Sequence, residues 1–187
     1  MARPLDLPRP PAAVSAAIVR YGALVVLALA GIGLIVSEFL TYREIVALTV
    51  VPEGGRTTGG ANHGYALALV GLVSLPMSYG AVIGGSRPAA AAVAVLGGVA
   101  LAIGAIFDVP ALDDTGLIGR TYDLAEADPG VGFWLEIGCG AVLLVGGLLL
   151  LRARVTEARE AGAARRDERR ARQGAEQTEA PPAPTER

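Results

Sequence analysis

The sequence predicts an all-α membrane protein, an antiparallel four-transmembrane-helix bundle. Both termini are expected in the cytoplasm, with a small extracytoplasmic cap formed by two outer loops. Three observations predict this: four apolar runs of membrane-spanning length, a one-sided distribution of arginine, and aromatic residues gathered at the ends of the runs.

The runs cover about 21–40, 64–84, 88–107 and 131–151. Roughly 20 residues at about 1.5 Å rise match a hydrocarbon core of about 30 Å. The chain has 187 residues, 52% of them hydrophobic. The apolar residues form continuous stretches instead of alternating with a period of 2 or 3.6, which is the membrane pattern. The first run is longer than a signal-peptide core and no Ala-x-Ala site follows it, so an uncleaved anchor is expected.

Arginine sets the expected direction. All 16 basic residues are arginine. Arg3, Arg9 and Arg20 precede the first run, Arg87 lies in the turn between the second and third, and nine more follow the fourth. Only Arg43, Arg56 and Arg120 fall on the other side. The positive-inside rule then puts both termini in the cytoplasm of a bacterial inner-membrane, multi-pass protein. Phe39, Tyr42, Tyr65, Phe107, Phe133 and Trp134 lie at the outer ends, where an interfacial aromatic belt is expected.

Small residues predict the packing faces, because helix association in lipid relies on close contact. The third run carries Ala90, Ala94, Gly98 and Ala102 at four-residue spacing, and the fourth carries Gly132 and Gly140 flanking Glu136. Pro76 is expected to kink the second helix, with Ser74 or Ser78 satisfying a freed backbone group.

The first outer loop, 41–63, opens with the β-branched run Ile45–Val51, read as a strand or a segment lying on the membrane surface; Glu53–Gly60 then reads as a flexible turn. The second, Asp108–Gly130, holds six acids against Arg120. Residues 152–173 combine Ala, Arg and Glu, and predict a charged cytoplasmic helix. Arg152 to Arg172 suit anionic lipid headgroups, and interleaved acids without aromatics argue against nucleic acid. Residues 1–17 and 174–187 are expected to be disordered tails.

Glu136 is the first candidate for chemistry, since it lies roughly 7–8 Å inside the fourth run and intramembrane carboxylates are functional candidates by default. Glu38, Asp108 and His63 fall near the same level, and the four are expected to converge as a polar intramembrane site capped by Arg43, Arg56 or Arg120. No metal-ligand spacing, nucleophile set or phosphate-binding loop is present, so neither a metal nor a cofactor is expected. Cys139 is read as an inert packing residue.

The Gly-rich second run, the Gly85-Ser86-Arg87-Pro88 turn, the Gly97-Gly98 pair and Gly146-Gly147-Leu148 before the arginines give the chain a layout. It resembles the small actinobacterial four-pass proteins of the tryptophan-biosynthesis-associated membrane protein type. The resemblance implies a four-pass fold and transfers no activity.

The leading expectation for function is a non-enzymatic accessory or scaffold subunit, meeting a membrane-protein partner or a second copy of itself. The alternative is a small oligomeric transporter or channel using the acidic site. An enzyme acting on a lipid or quinone ranks third.

Overall fold

The computed structural model describes residues 12–47, 51–112, 114–122 and 124–179. Of the expected disordered tails, residues 1–11 and 180–187, together with Leu48–Val50, Asp113 and Asp123, lie outside the described residues, whereas Ala12–Ala17 and Gly174–Glu179 are helical, as continuations of the adjoining helices. Of the described residues, 76% are helical. It divides into two compact units, Met1–Leu151 and Arg152–Arg187.

The elements in order are α1 (Ala12–Ser37), β1 (Thr41–Ala47), β2 (Arg56–Thr58), α2 (Gly59–His63), α3 (Ala66–Val82) and α4 (Arg87–Ile103). A π-helical turn, Gly104–Asp108, follows, then α5 (Val109–Leu112), α6 (Gly116–Thr121), β3 (Ala125–Pro129) and α7 (Val131–Glu179). Three helical stretches among the described residues are long and apolar enough to cross a membrane: Ala17–Ser37, Arg87–Thr121 and Val131–Arg159. Their mean hydropathies are 2.2, 2.4 and 2.1, yet only 22%, 33% and 28% of their apolar windows are buried within the protein. The outward faces are therefore apolar as well, with Leu29, Leu72, Val95 and Leu149 among the exposed side chains. Helices apolar on every face need a solvent other than water. α3 is a shorter apolar helix of 17 residues.

A small core joins the helices. Leu27, Ala30 and Leu34 of α1 meet Leu67 and Val82 of α3, Val93 and Ala100 of α4, and Leu143 of α7. Ser86 caps α4 by accepting a hydrogen bond from the Ala89 amide, with Pro88 in the first turn, where its missing N–H costs nothing. Arg20 donates to the Val82 and Ile83 carbonyls at 3.1 Å, closing the C-terminal end of α3. α3 remains helical through Pro76, and Ser74 Oγ donates to the Gly71 carbonyl one turn earlier.

The phase of one small-residue face differs from the expected stripe. Gly98 has open space beside it and Ala102 is exposed. The packed positions of α4 are Ala89, Ala90, Val93, Ala94, Gly97 and Ala100. A Cβ at Gly97 would strike the Leu144 amide and approach the Gly140 carbonyl at 2.7 Å, while one on Gly147 would strike the Ala94 backbone. The cause is helical geometry: a four-residue stripe drifts by about 40° per step, so three steps carry it off the contact face. A seven-residue spacing, as in Ala90, Gly97 and Gly104, drifts by only about 20°. Gly132 and Gly140 both lie on the buried face of α7 with Glu136, and Gly132 packs against the Ser37, Leu40 and Thr41 carbonyls.

The first and second outer loops meet in a three-stranded antiparallel sheet of order β2-β1-β3, an addition to the all-α expectation. Arg43 pairs with Pro129 and Ala47 with Ala125 at the two ends of the β1–β3 ladder. Tyr42 and Ile45, at 1% and 5% exposure, anchor β1 inward. Tyr42 and Phe133 are thus buried instead of joining the aromatic belt, whereas Phe39, Tyr65, Phe107 and Trp134 are exposed.

The helix phase makes a direct prediction. Gly97→Ala inserts a methyl into the α7 backbone and should lower unfolding stability in detergent by about 1–3 kcal/mol. Gly98→Ala meets open space and should leave it unchanged or slightly higher. Denaturant titration of both variants checks the difference.

Candidate functional site

Four chain segments bring ionisable side chains to one end of the helices. Glu38 lies just past α1, where Ser37 Oγ donates to the Leu34 carbonyl and the chain turns toward β1. Its Oε1 accepts from the Leu67 amide at 2.7 Å and from the Ala68 amide at 3.3 Å. The carboxylate thereby caps α3 from the turn after α1, satisfying free amides at the positive end of the helix dipole. α3 needs this partner, since its own cap residue, Tyr65, has φ 63° and supplies no side-chain bond.

His63 ends the short helix α2, which is turned back by Gly64 at φ 64°. The Gly59-Gly60 pair before it has a packing reason beyond a flexible turn: a Cβ on Gly59 would lie 3.3 Å from both Cα and Oε2 of Glu38. Asp108 closes the π-helical turn, where the Val109 amide reaches back to the Gly104 carbonyl. Pro110 follows and has no N–H to continue an α-helical ladder. Wide turns of this kind recur at functional sites. Glu136 projects from the buried face of α7, and Gly104 leaves it room, since a Cβ there would lie 2.9 Å from its Oε1.

Glu38, Asp108 and Glu136 are 1%, 0% and 2% exposed. The imidazole is sandwiched among them. His63 Nδ1 lies 3.4 Å from Glu38 Oε1, and Nε2 lies 3.5 Å from Asp108 Oδ1 and 3.9 Å from Glu136 Oε2. Asn62 Nδ2 donates to Asp108 Oδ1 at 2.6 Å. All four expected site residues therefore come together. His63, Asp108 and Glu136 each present one ligand atom within 4.8 Å of the others, an arrangement able to hold a metal ion that sequence spacing did not suggest.

The expected arginine cap is absent among the described residues. Arg43 Nη1 donates to the Ala111 and Asp114 carbonyls at 2.6 and 2.7 Å, tying β1 to the second outer loop. Arg56 pairs with Glu44 on the sheet at 2.8 Å. Three buried carboxylates are left facing one imidazole. Glu38 Oε2, both imidazole nitrogens, Asp108 Oδ2 and Glu136 Oε1 are buried without a hydrogen-bond partner. So is the Tyr42 hydroxyl, which the belt assignment concealed. Burial raises its pKa, opposed by Arg43 and reinforced by Asp108, Asp114 and Glu136. Cys139 lies apart from this group, against Gly33 of α1.

No protein-family model and no curated protein matches the chain.

The Asp108 carboxylate facing His63 raises the imidazole pKa, burial opposes it, and Glu38 and Glu136 add to the rise. This contact contributes stability that is complete below the unfolded-state pKa, about 6.5. It is lost as pH rises through the higher folded value. Because the chain has one histidine, 15N-imidazole NMR in chelating buffer reads this titration without ambiguity. The midpoint should lie above about 6.5 and fall in Asp108→Asn.

Proposed function

We propose that the chain is a four-pass protein of the bacterial cytoplasmic membrane that binds a small cation in this closed polar chamber. Its termini are cytoplasmic and the chamber lies at the extracytoplasmic end. One observation carries the reading: three buried carboxylates surround a single imidazole, with no arginine among them. Charges removed from water cost several kcal/mol each unless they are compensated. A bound cation supplies that compensation and gives the unpartnered oxygens a role.

The four-pass topology takes α3 as the remaining pass. Its 17 residues span about 26 Å, a shortfall that modest bilayer thinning accommodates. The hydrogen bonds of Arg20 to the end of α3 support a shared cytoplasmic face for Arg20 and the Arg87 turn. The likeness of layout to the tryptophan-biosynthesis-associated membrane proteins supports the pass number and nothing chemical.

Binding is favoured over conduction. Toward the other face, the interior is filled by Leu27, Leu34, Val93, Ala100 and Leu143. The α4–α7 seam is closed by backbone contact at Gly97 and Gly147. An accessory role toward a partner membrane protein or a second copy is compatible with cation binding. It draws support from the arginine-rich helical segment after Leu151, whose charges suit anionic headgroups.

Thermal unfolding in nanodiscs tests the chamber. After chelation, the protein is titrated with Na⁺, K⁺, Mg²⁺, Ca²⁺, Mn²⁺ and Zn²⁺. At about 100 times Kd a bound cation should add about 2.7 kcal/mol. Glu136→Gln should fold at least as stably as the parent without cation, because it removes one of the crowded charges, and should lose the cation-dependent gain. No stabilisation by any cation, together with a less stable Glu136→Gln, would instead make Glu136 an interhelical structural group.

A further inference from the structure

The chamber has the donor set, spacing and supporting contacts of one class of cation. Resting on the cation-binding reading above, we propose that it is a site for a first-row divalent transition-metal ion. His63 Nε2, one oxygen of Asp108 and one oxygen of Glu136 are the ligands, and Glu38 is the carboxylate that orients the imidazole.

Spacing is the first argument. Metal–ligand bonds of about 2.0–2.2 Å in a tetrahedral site place neighbouring ligand atoms about 3.4 Å apart. Nε2 lies 3.5 Å from Asp108 Oδ1 and 3.9 Å from Glu136 Oε2. These separations are long for direct hydrogen bonds and close to the edges of a coordination tetrahedron. Asp108 Oδ2 and Glu136 Oε1 are buried and unpartnered, so each carboxylate keeps a free oxygen for a ligand role. Three protein ligands leave a fourth position for water.

Support around the ligands is the second. A metal-bound imidazole ordinarily donates its other N–H to a carboxylate, which fixes the ring and its tautomer. Glu38 Oε1 stands 3.4 Å from Nδ1 and is itself held by the Leu67 and Ala68 amides. Asn62 holds Asp108 in turn. Glu38 and Asp108 are thus held in place before a metal arrives.

Donor chemistry selects the ion. An imidazole nitrogen favours transition metals over Mg²⁺ and Ca²⁺, which take oxygen donors alone. The two carboxylates suit Zn²⁺, Mn²⁺ or Fe²⁺, and no thiolate faces the chamber to favour Cu⁺, since Cys139 packs against Gly33. A +2 ion neutralises the two ligand carboxylates, and the third, Glu38, faces the imidazole N–H.

The test uses the full chain in nanodiscs, stripped with chelator and loaded with ZnCl₂. Metal content and 15N-imidazole spectra are then measured. One Zn²⁺ per chain is expected, with the Nε2 resonance shifted and Nδ1 still protonated. Asp108→Asn and Glu136→Gln should abolish stoichiometric binding. Glu38→Gln should weaken it about 10–100-fold without changing the stoichiometry. The proposal is overturned if folded parent protein takes up no Zn²⁺, or if Zn²⁺ binds while the imidazole signals stay unchanged. If Zn²⁺ is refused but Na⁺, Mg²⁺ or Ca²⁺ still stabilises the protein, the transition-metal assignment falls and the cation-binding reading stands. If no cation stabilises it, both fall.

Discussion

Holding three carboxylates and an imidazole away from water at the end of an apolar helix array is the constraint on which the structure turns. Each group arrives on a different segment, and each is held by a separate device. Glu38 is fixed by the opening amides of α3, Asp108 by Asn62 after a π-helical turn, and His63 by the left-handed reversal at Gly64. Glu136 fits because Gly104 opposite it has no side chain. The glycines at 59 and 104 are part of the same solution, since a larger residue at either position would meet a carboxylate.

The sheet serves that arrangement. β1 begins three residues after Glu38 and one residue separates β3 from α7, so the β1–β3 ladder sets the spacing between the ends of α1 and α7. Gly132 then packs against the carbonyls of Ser37, Leu40 and Thr41, which brings the first turn of α7 against the end of α1. Arg43 extends the brace to Ala111 and Asp114. An arginine that neutralised the carboxylates would remove the chamber's charge imbalance, whereas here the guanidinium is committed to backbone oxygens.

Much of this was legible in the sequence. Length and hydropathy marked the spans, and the depth of Glu136 with the level of Glu38, Asp108 and His63 marked the site. What was not legible depended on register between distant segments. The pairing of Arg43 with Pro129 has no local signature. Tyr42 has the amphipathic character of an interfacial ring, and only the inward face of β1 shows it buried. The four-residue stripe through Gly98 and Ala102 failed because the rotation of a helix accumulates along its length. The trio at positions 63, 108 and 136, able to hold a metal ion, has no motif spacing, because three separate elements supply it.

The distribution of the chamber over the whole chain bears on how the protein is made. Glu136 lies on α7, and its companions emerge earlier during synthesis. Until that helix enters the membrane, Glu38, His63 and Asp108 lack the wall that seals them from solvent or lipid. Closure of the polar chamber thus waits for the helix that carries Glu136. A chain stopped short of it would leave three ionisable groups without the carboxylate-bearing wall that buries them.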